Sequence, residues 1–364
     1  MKIYFTLALI AQSLLALSNV YAQISFSTKG ETYYDDNIFN NALKTGDMVS
    51  SISLSAAYDI ESERNNLQLY YMNNFSYFRE NIFKSSNSHK FGAVNTYLLS
   101  EDGNPLNIGI NYSVRNNRDE FYIFDFNQIS LYSNYRHSLD ENNYFIIGYL
   151  FNSNRYKNLS MFSYYENKVF LKYSSTFSTG TAFMGGAEIN LKNYAESSAE
   201  YGGANNSSQL NLYLQVSQSI AKHTGISGYF LQRLNLQSGS RYINSGDYIY
   251  YEEEILNDIY SNDGYETGIS LTQILSNKLT AKFEFAYSTK NFSGLPAAGA
   301  DGYDLNENRA DKQFSAGIQL EADLSSLIYG LNTSANWNYI KNNSNDGFYN
   351  FDNQIFSFGL GWEF

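Results

Sequence analysis

The chain ends with the stretch Gln354-Ile355-Phe356-Ser357-Phe358-Gly359-Leu360-Gly361-Trp362-Glu363-Phe364, in which apolar residues occupy every second position. Successive side chains of a β-strand point to opposite faces of a sheet, so this period of two collects the large apolar residues on one face. Small or polar residues occupy the other face. The stretch therefore predicts a strand with one apolar side and one polar side.

The beginning of the chain has the features of an export signal. Lys2 precedes an apolar run from Ile3 to Leu17, and Val20-Tyr21-Ala22 places small residues before a cleavage site. The alternative is a transmembrane anchor, but the run is short for a bilayer and no stop-transfer charges follow it. We expect a signal peptide over residues 1–22, cleaved between Ala22 and Gln23, and one domain over residues 23–364.

The composition excludes several classes of protein. No later segment approaches about 18 consecutive apolar residues, so no membrane-spanning helix is predicted. Without Lys2 the chain has 23 basic and 36 acidic side chains, a formal charge of −13, which argues against nucleic acid as a partner. The 34 Tyr and 26 Phe residues suit aromatic girdles at two membrane interfaces.

Alternating segments recur along the whole chain, and tight turns and longer polar connections alternate between them. The clearest segments are Leu106–Arg115, Leu210–Ser217, Leu279–Ser288 and Leu327–Asn338. Noisier ones lie near 24–34, 49–60, 66–78, 89–100, 122–137, 143–154, 162–176, 181–192, 224–236, 264–275, 313–323 and 353–364. We predict an all-β fold: a single closed antiparallel transmembrane β-barrel of about sixteen strands, with fourteen to eighteen left open, short periplasmic turns and long external loops. The alternative is a soluble all-β protein, which would expose many aromatic residues.

The alternation also assigns side chains to the two faces of the barrel wall. The residues predicted to face lipid are Phe283, Leu320, Leu331 and Leu360. The residues predicted to face the lumen are Lys282, Glu284, Gln319 and Asn332. A final strand that ends in Trp362 and Phe364 is the ending seen in bacterial outer-membrane barrels. We expect these two residues to be read by the barrel-assembly machinery, and outer-membrane lipid to surround the folded wall.

The first strand continues into Tyr33-Tyr34-Asp35-Asp36-Asn37-Ile38-Phe39. This segment, together with the Tyr-rich strand that ends at Phe78 and the Ser88-His89-Lys90 stretch, resembles the opening of a broad set of outer-membrane β-barrel porin families, some encoded with surface-polysaccharide systems. The resemblance covers about the first 100 residues. It implies a channel or a scaffold and no catalytic residues.

Candidate sites for chemistry are few. The three histidines, His89, His137 and His223, are interpreted as ordinary loop or rim residues rather than as parts of a hydrolytic site. Acidic groups at 35–36, 252–254 and 301–311 lack the spacing of a calcium loop and are interpreted as a solvated external surface. We predict no catalytic, cofactor or metal site.

The longest connection, 237–263, is a candidate constriction or ligand loop, and exposed disorder is the alternative. Its candidate residues are Tyr248, Tyr250, Tyr251, Glu252, Glu253 and Glu254. The sequence favours a passive channel for small polar solutes in the outer membrane of a Gram-negative bacterium. The alternative is a non-enzymatic barrel that serves export of surface polysaccharide or surface protein, and a barrel hydrolase is a distant third hypothesis.

Overall fold

A computed structural model describes residues 21–99, 103–195, 205–237 and 262–364 of the chain. Over these residues the chain forms sixteen strands. The strands are β1 Tyr21–Asp35, β2 Asp47–Ser62, β3 Asn65–Phe78, β4 Ser86–Leu98, β5 Pro105–Asn117, β6 Phe126–Ser138, β7 Asn143–Tyr156, β8 Tyr164–Thr176, β9 Thr181–Tyr194, β10 Asn206–Ala221, β11 Thr224–Gln237, β12 Asn262–Ser276, β13 Leu279–Ala298, β14 Asp304–Asp323, β15 Leu331–Ser344 and β16 Phe351–Glu363. None of the described helices is long and apolar enough to cross a membrane.

Each strand pairs antiparallel with its neighbours in sequence, and β1 pairs with β16, so the sheet closes into a barrel. The alternating sequence explains this architecture, because hydrocarbon tolerates a sheet only when every backbone hydrogen bond is made within it. Closure provides this condition by removing both edges. The prediction of a single closed antiparallel barrel of about sixteen strands is confirmed.

The seam between the first and last strands is paired along its length. Ladder pairs run from Ser27 opposite Glu363 to Asp35 opposite Ile355. Beyond Ser27, the backbone of Phe26 exchanges hydrogen bonds of 2.9 and 3.0 Å with Phe364, and their rings stack at 5.8 Å. The terminal aromatic is therefore part of the wall.

The tightest turns lie at one end of the barrel, and most of the longer connections lie at the other end. Residues 63–64, 222–223 and 277–278 form tight turns at the end where β1 begins and β16 ends, whereas 36–46 and 118–125 lie at the other end. By the rule for outer-membrane barrels, the tight turns mark the periplasmic end and the longer loops the extracellular end.

Three strand boundaries differ from the sequence prediction. The predicted loop over 289–312 is mostly strand, because β13 and β14 continue past an irregularity near Pro296 and leave only 299–303 as a connection. The strand predicted to start at Leu327 begins at Leu331, because residues 325–330 form a turn that ends at Gly330 with φ of 74°. The strand predicted from 122 begins at Phe126, after a short 3₁₀ helix over Asp119–Phe124.

Large aromatic rings on the inner face lie against the wall. A Cβ atom on Gly92 would sit 2.2 Å from the ring of Tyr70, and one on Gly109 would sit 2.3 Å from the ring of Tyr132. Glycine at these two positions lets the ring of the neighbouring strand lie flat over the backbone. The rings therefore cover the wall instead of projecting across the interior.

Candidate functional site

The interior of the barrel is identified by cavities whose walls come from distant strands. One cavity of about 690 Å³ is lined by Gln23 of β1, Gln68 of β3, Tyr132 of β6 and Glu363 of β16. A second, of about 640 Å³, is lined in part by Lys29, Lys90, Gln128 and Asn332. These residues alternate with exposed apolar ones along their strands, which defines the inner and outer faces of the wall.

The structure places the eight residues assigned from alternation in two separate sets. On the inner face, Lys282 Nζ lies 2.6 Å from Glu284 Oε1, and Gln319 donates a 2.7 Å hydrogen bond to Glu321. Asn332 lines an interior cavity. On the outer face, Leu320 is 41% exposed and Leu360 is 46% exposed. Phe283 and Leu331 share that face by ladder register.

Charge is distributed unevenly around the inner face. On β4 to β9 the inward positions carry Lys90, Arg115, Arg136, Lys168, Lys172 and Lys192 with only Glu166 and Glu188. On β1 and β2 the inward positions carry Glu31, Asp35, Asp47, Asp59 and Glu61 with only Lys29. Two sectors of one cylinder therefore have opposite net charge, negative on β1 and β2 and positive on β4 to β9, and the resulting field lies across the passage.

The loop over residues 36–46, here called loop 1, is packed at the extracellular end. Ile38 is 5% and Phe39 3% exposed, and they contact a cluster that includes Phe121 and Phe124. The rings of Phe39 and Phe121 are 6.5 Å apart, and those of Phe121 and Phe124 are 5.5 Å apart. This aromatic cluster joins loop 1 to the connection between β5 and β6.

Hydrogen bonds fasten loop 1 to the last strand. Asn37 Nδ2 donates to the carbonyl oxygens of Asn41 at 2.8 Å and Asp352 at 3.1 Å. Asn353 Nδ2 donates to the carbonyl oxygen of Asn37 at 3.1 Å and to Asn40 Oδ1 at 2.8 Å. Because Asn37 is fully buried and Asn353 nearly so, these bonds fix loop 1 over the seam of the barrel.

The carboxylate of Asp47, the first residue of β2, stabilises the extracellular end of the barrel. Burial alone would raise the pKa of Asp47, but hydrogen bonds from the backbone of Glu80 and Asn81 and from the Asn81 side chain hold that pKa below its ordinary value. The charged form of Asp47 therefore organises the connection between β3 and β4.

Several sequence interpretations need correction at this end. Asp311 is not a solvated acid, because it is 2% exposed and accepts two hydrogen bonds from Arg309. His89 is a strand residue on β4, 2.9 Å from the Tyr71 hydroxyl, rather than a loop residue. At the periplasmic end, His137 is the second-last residue of β6 and His223 lies in a turn, where the sequence interpretation placed them.

The sequence does not single out Arg309, Tyr349 or Asn342, which the structure brings together at the extracellular end. The i, i+2 spacing of Arg309 and Asp311 would place both side chains on one face if this segment were predicted as a strand.

The constriction residues Tyr248, Tyr250, Tyr251, Glu252, Glu253 and Glu254 lie outside the described residues. Trp362 donates from Nε1 to the carbonyl oxygen of Tyr329 at 2.9 Å. The predicted cleavage site, Ala22 and Gln23, pairs with β2 in the ladder, and cleavage stays a prediction.

Several solved structures share this architecture, and one of them is described as an outer-membrane protein. OpdK of Pseudomonas aeruginosa, solved with vanillate, is similar at a TM-score of 0.52 and 9% identity, over 94% of this chain and 98% of that one. OccAB4 of Acinetobacter baumannii has a TM-score of 0.54 and 11% identity, over 94% and 98% of the two chains. OprD of P. aeruginosa has a TM-score of 0.52 and 9% identity, over 94% and 95%. No curated protein matches the chain.

The fold and the polar interior define a porin-like barrel of the outer-membrane type. The model of the family described as surface lipoprotein assembly modifier matches residues 129–364. The chain belongs to that family. The match covers β6 from near its start and all later strands, including the seam strand β16.

Proposed function

We propose that this barrel forms a water-filled passage for small polar solutes across the outer membrane. The observation that carries the proposal is the inner face, which is polar and charged around a closed sixteen-strand wall. A barrel of this strand number is wide enough to hold water between its side chains. No catalysis is required for such a role.

The packed loop 1 sets the entrance of the proposed passage. It covers the mouth near β1 and β16 and is tied to the connections that follow β3 and β5. Solutes would therefore enter nearer the strands from β7 to β13. The transverse field would orient polar and charged solutes within the passage, and inward Lys282, Glu284, Gln319 and Asn332 would contact them nearer the periplasmic end. The 248–254 segment would act as a further constriction.

Planar-bilayer recording of the purified full-length barrel tests the proposal. Steady open-channel steps whose size rises in proportion to salt concentration are expected. Heat-denatured protein is the control and should give no steps. A silent bilayer with correctly folded, heat-modifiable protein would contradict passive diffusion.

A second candidate function comes from the family match. The family is described by the assembly of surface lipoproteins, and the match covers 236 of the 364 residues of this chain. In this role the barrel would aid delivery of a lipoprotein to the cell surface rather than conduct solutes. Protease shaving of whole cells that produce a test lipoprotein with and without the barrel separates the two. Barrel-dependent surface exposure, with a silent bilayer, would favour the second candidate.

Both roles use the same route to the membrane. The route comprises export by a signal peptide over residues 1–22, recognition of the last strand by the barrel-assembly machinery, and insertion into outer-membrane lipid. The apolar groove formed outside by Tyr34, Ile318, Trp337 and Phe356 suits contact with acyl chains.

A further inference from the structure

Five aromatic residues on the inner face of the described strands each lie directly opposite a glycine on the neighbouring strand. The five ladder pairs are Tyr70 with Gly92, Tyr132 with Gly109, Phe170 with Gly148, Tyr213 with Gly186 and Tyr229 with Gly268. They fall in five successive strand pairs, from β3 and β4 to β11 and β12. We call this series of aromatic residues the inner aromatic belt.

The belt stays at one height around the wall. Because the strands of a barrel are staggered, a row of direct ladder partners climbs along the wall from strand to strand. Gly92 has Asn111 as its next ladder partner, but the next pair of the belt uses Gly109, two residues nearer the periplasmic end. The same step of two residues recurs at the following three interfaces. Each aromatic residue of the belt therefore lies near the middle of its strand.

The ring geometry described for Tyr70 and Tyr132 recurs farther around the wall. A Cβ atom on Gly148 would sit 2.2 Å from the ring of Phe170, and the ring of Tyr229 covers its glycine in the same way. Because each of these rings covers a glycine, one ring face lies against the backbone and the other faces the interior. The four aromatic side chains are half-buried, so the inward ring face is accessible.

The interior cavity of about 690 Å³ brings two of these ring faces together. Tyr70 and Tyr132 both line this cavity, and the glycines that they cover are diagonal neighbours on β4 and β5, about 7–8 Å apart. The same wall carries the polar side chains of Gln23, Gln68 and Lys90, each at least partly exposed. The cavity therefore combines two flat apolar faces with a border of hydrogen-bonding groups.

Charge and shape together indicate the class of solute. The charged side chains on the wall of this cavity are Lys90 and Glu363, one of each sign, so the cavity favours a solute without net charge. A pyranose sugar fits the other features, because its C–H face can stack on an aromatic ring while its hydroxyls bond to polar groups at the rim. An aromatic solute would use the ring faces alone.

We propose that the inner aromatic belt binds neutral sugars in the pyranose form, with Tyr70 and Tyr132 as the principal stacking faces. The cavity volume lies within the range of about 300–1,000 Å³ that is typical of small-molecule sites. The assignment deepens the proposed function, because it rests on the passage and names the solute class that the passage would select near the middle of the barrel.

Saturation-transfer NMR on the purified full-length barrel, in a detergent without sugar head groups, tests the site without requiring conduction. The probes are methyl β-D-glucopyranoside, D-glucitol as a polyol without a ring face, and benzyl alcohol as a neutral aromatic. The glucopyranoside is expected to bind at least about threefold more tightly than D-glucitol, with stronger saturation of the axial protons on one ring face. Equal binding of D-glucitol, or tighter binding of benzyl alcohol, would overturn the sugar assignment.

Ring substitutions locate the binding. Tyr132→Leu and Tyr70→Leu should each weaken glucopyranoside binding about two- to tenfold, whereas Tyr132→Phe should retain it. Tyr112→Leu removes an exposed ring from the outer face of β5 and is the matched control, with unchanged affinity expected. Unchanged affinity in both inner variants, or an equal loss in Tyr112→Leu, refutes the site. Heat-modifiable migration on a gel checks that each variant is folded.

The same preparation separates this site from the passage itself. Sugar binding by a barrel that gives no bilayer conductance would retain the belt as a binding site and reject the passage. Steady conductance without sugar binding would retain the passage and reject the role of the belt.

Discussion

Asn353 of the last strand donates a 3.1 Å hydrogen bond from its side-chain amide to the backbone oxygen of Asn37, which lies just after the first strand. In turn, Asn37 Nδ2 donates a 3.1 Å hydrogen bond to the backbone oxygen of Asp352. The two ends of the sheet are therefore joined by side chains as well as by the ladder. Asn37 belongs to the Tyr33–Phe39 segment of the sequence, and its partners belong to the last strand.

Asn37→Ala should lower the free energy of unfolding by about 2–4 kcal/mol, because it removes the two hydrogen bonds that Asn37 Nδ2 donates to the carbonyl oxygens of Asn41 and Asp352 and the bond that Asn37 Oδ1 accepts from the Asn41 amide. Urea titration of the refolded barrel in detergent micelles measures this change. Asn350→Ala, at an exposed position of the last connection, is the control and should have little effect. Equal stability of the two variants would show that loop 1 contributes nothing to closure.

Phe121→Ala should release loop 1 while the wall stays intact. Its ring is 1% exposed and contacts Phe39, Phe83 and Phe124, and removal of a buried Phe side chain costs about 3–5 kcal/mol. Limited proteolysis should then cut within residues 36–46 much faster than in the wild type. Phe177→Ala, in an exposed turn at the opposite end, is the matched control. Protection of loop 1 in Phe121→Ala would refute the cluster's role.

The extracellular end should lose order in acid. The pKa of Asp47 is held below its ordinary value of 3.8, so its charged form stabilises the fold above that pH, and this stabilisation is lost as the pH falls through the lower folded-state pKa. Amide exchange at Glu80 and Asn81, corrected for intrinsic pH dependence, should therefore show protection that is constant from pH 7 to about pH 5 and falls below about pH 4. Asp47→Asn should show weaker protection with no such fall.

Arginine substitutions distinguish the two faces of the wall. Leu320→Arg on the outer face should destabilise the barrel by about 2–4 kcal/mol in lipid if that position lies near the bilayer midplane. Gln319→Arg, one residue earlier and facing inward, should cost little. Unfolding in vesicles by urea measures both. Equal tolerance would mean that the register is displaced by one residue, which exchanges the two faces.

Deleting Phe364 separates an assembly signal from a packing contact. Packing alone predicts a loss of about 1–3 kcal/mol and normal outer-membrane levels. A signal predicts periplasmic accumulation, although the purified chain still folds in detergent. Phe26→Ala removes the ring stacked on Phe364 but keeps the terminal aromatic, so it reports the packing loss alone. Normal membrane levels of the truncated chain would exclude the signal.

The sequence alone predicts the wall well, because alternation is a local property. The faces of Lys282, Phe283 and Gln319 follow from counting by twos, and the strand number follows from counting turns. At 289–312, where Gly294 and Pro296 favour a loop, the structure instead extends β13 and β14. In the structure these residues form an irregularity that the ladder passes over.

The packing of loop 1 against the connection between β5 and β6 could not be predicted in the same way. Phe39 and Phe121 are brought together by closure of the barrel, and no period in the sequence marks a contact of that separation. The sequence predicts strand from residue 122, before Phe126, because apolar residues in a packed loop resemble those in a strand. The sequence favours a solvated Asp311 because this residue falls in the predicted 289–312 loop, whereas in the structure it lies on β14 beside Arg309.

The pairing of Phe26 with Phe364 has a consequence for how the barrel forms. The contact has nearly the largest sequence separation available in the chain, so it carries a high loop-closure entropy and belongs to the last steps of folding. Until it forms, β1 and β16 present unpaired hydrogen-bonding groups that any extended peptide can occupy. The partly folded barrel is thus prone to aggregation. Its lifetime, rather than the stability of the native barrel, sets how much of the protein aggregates.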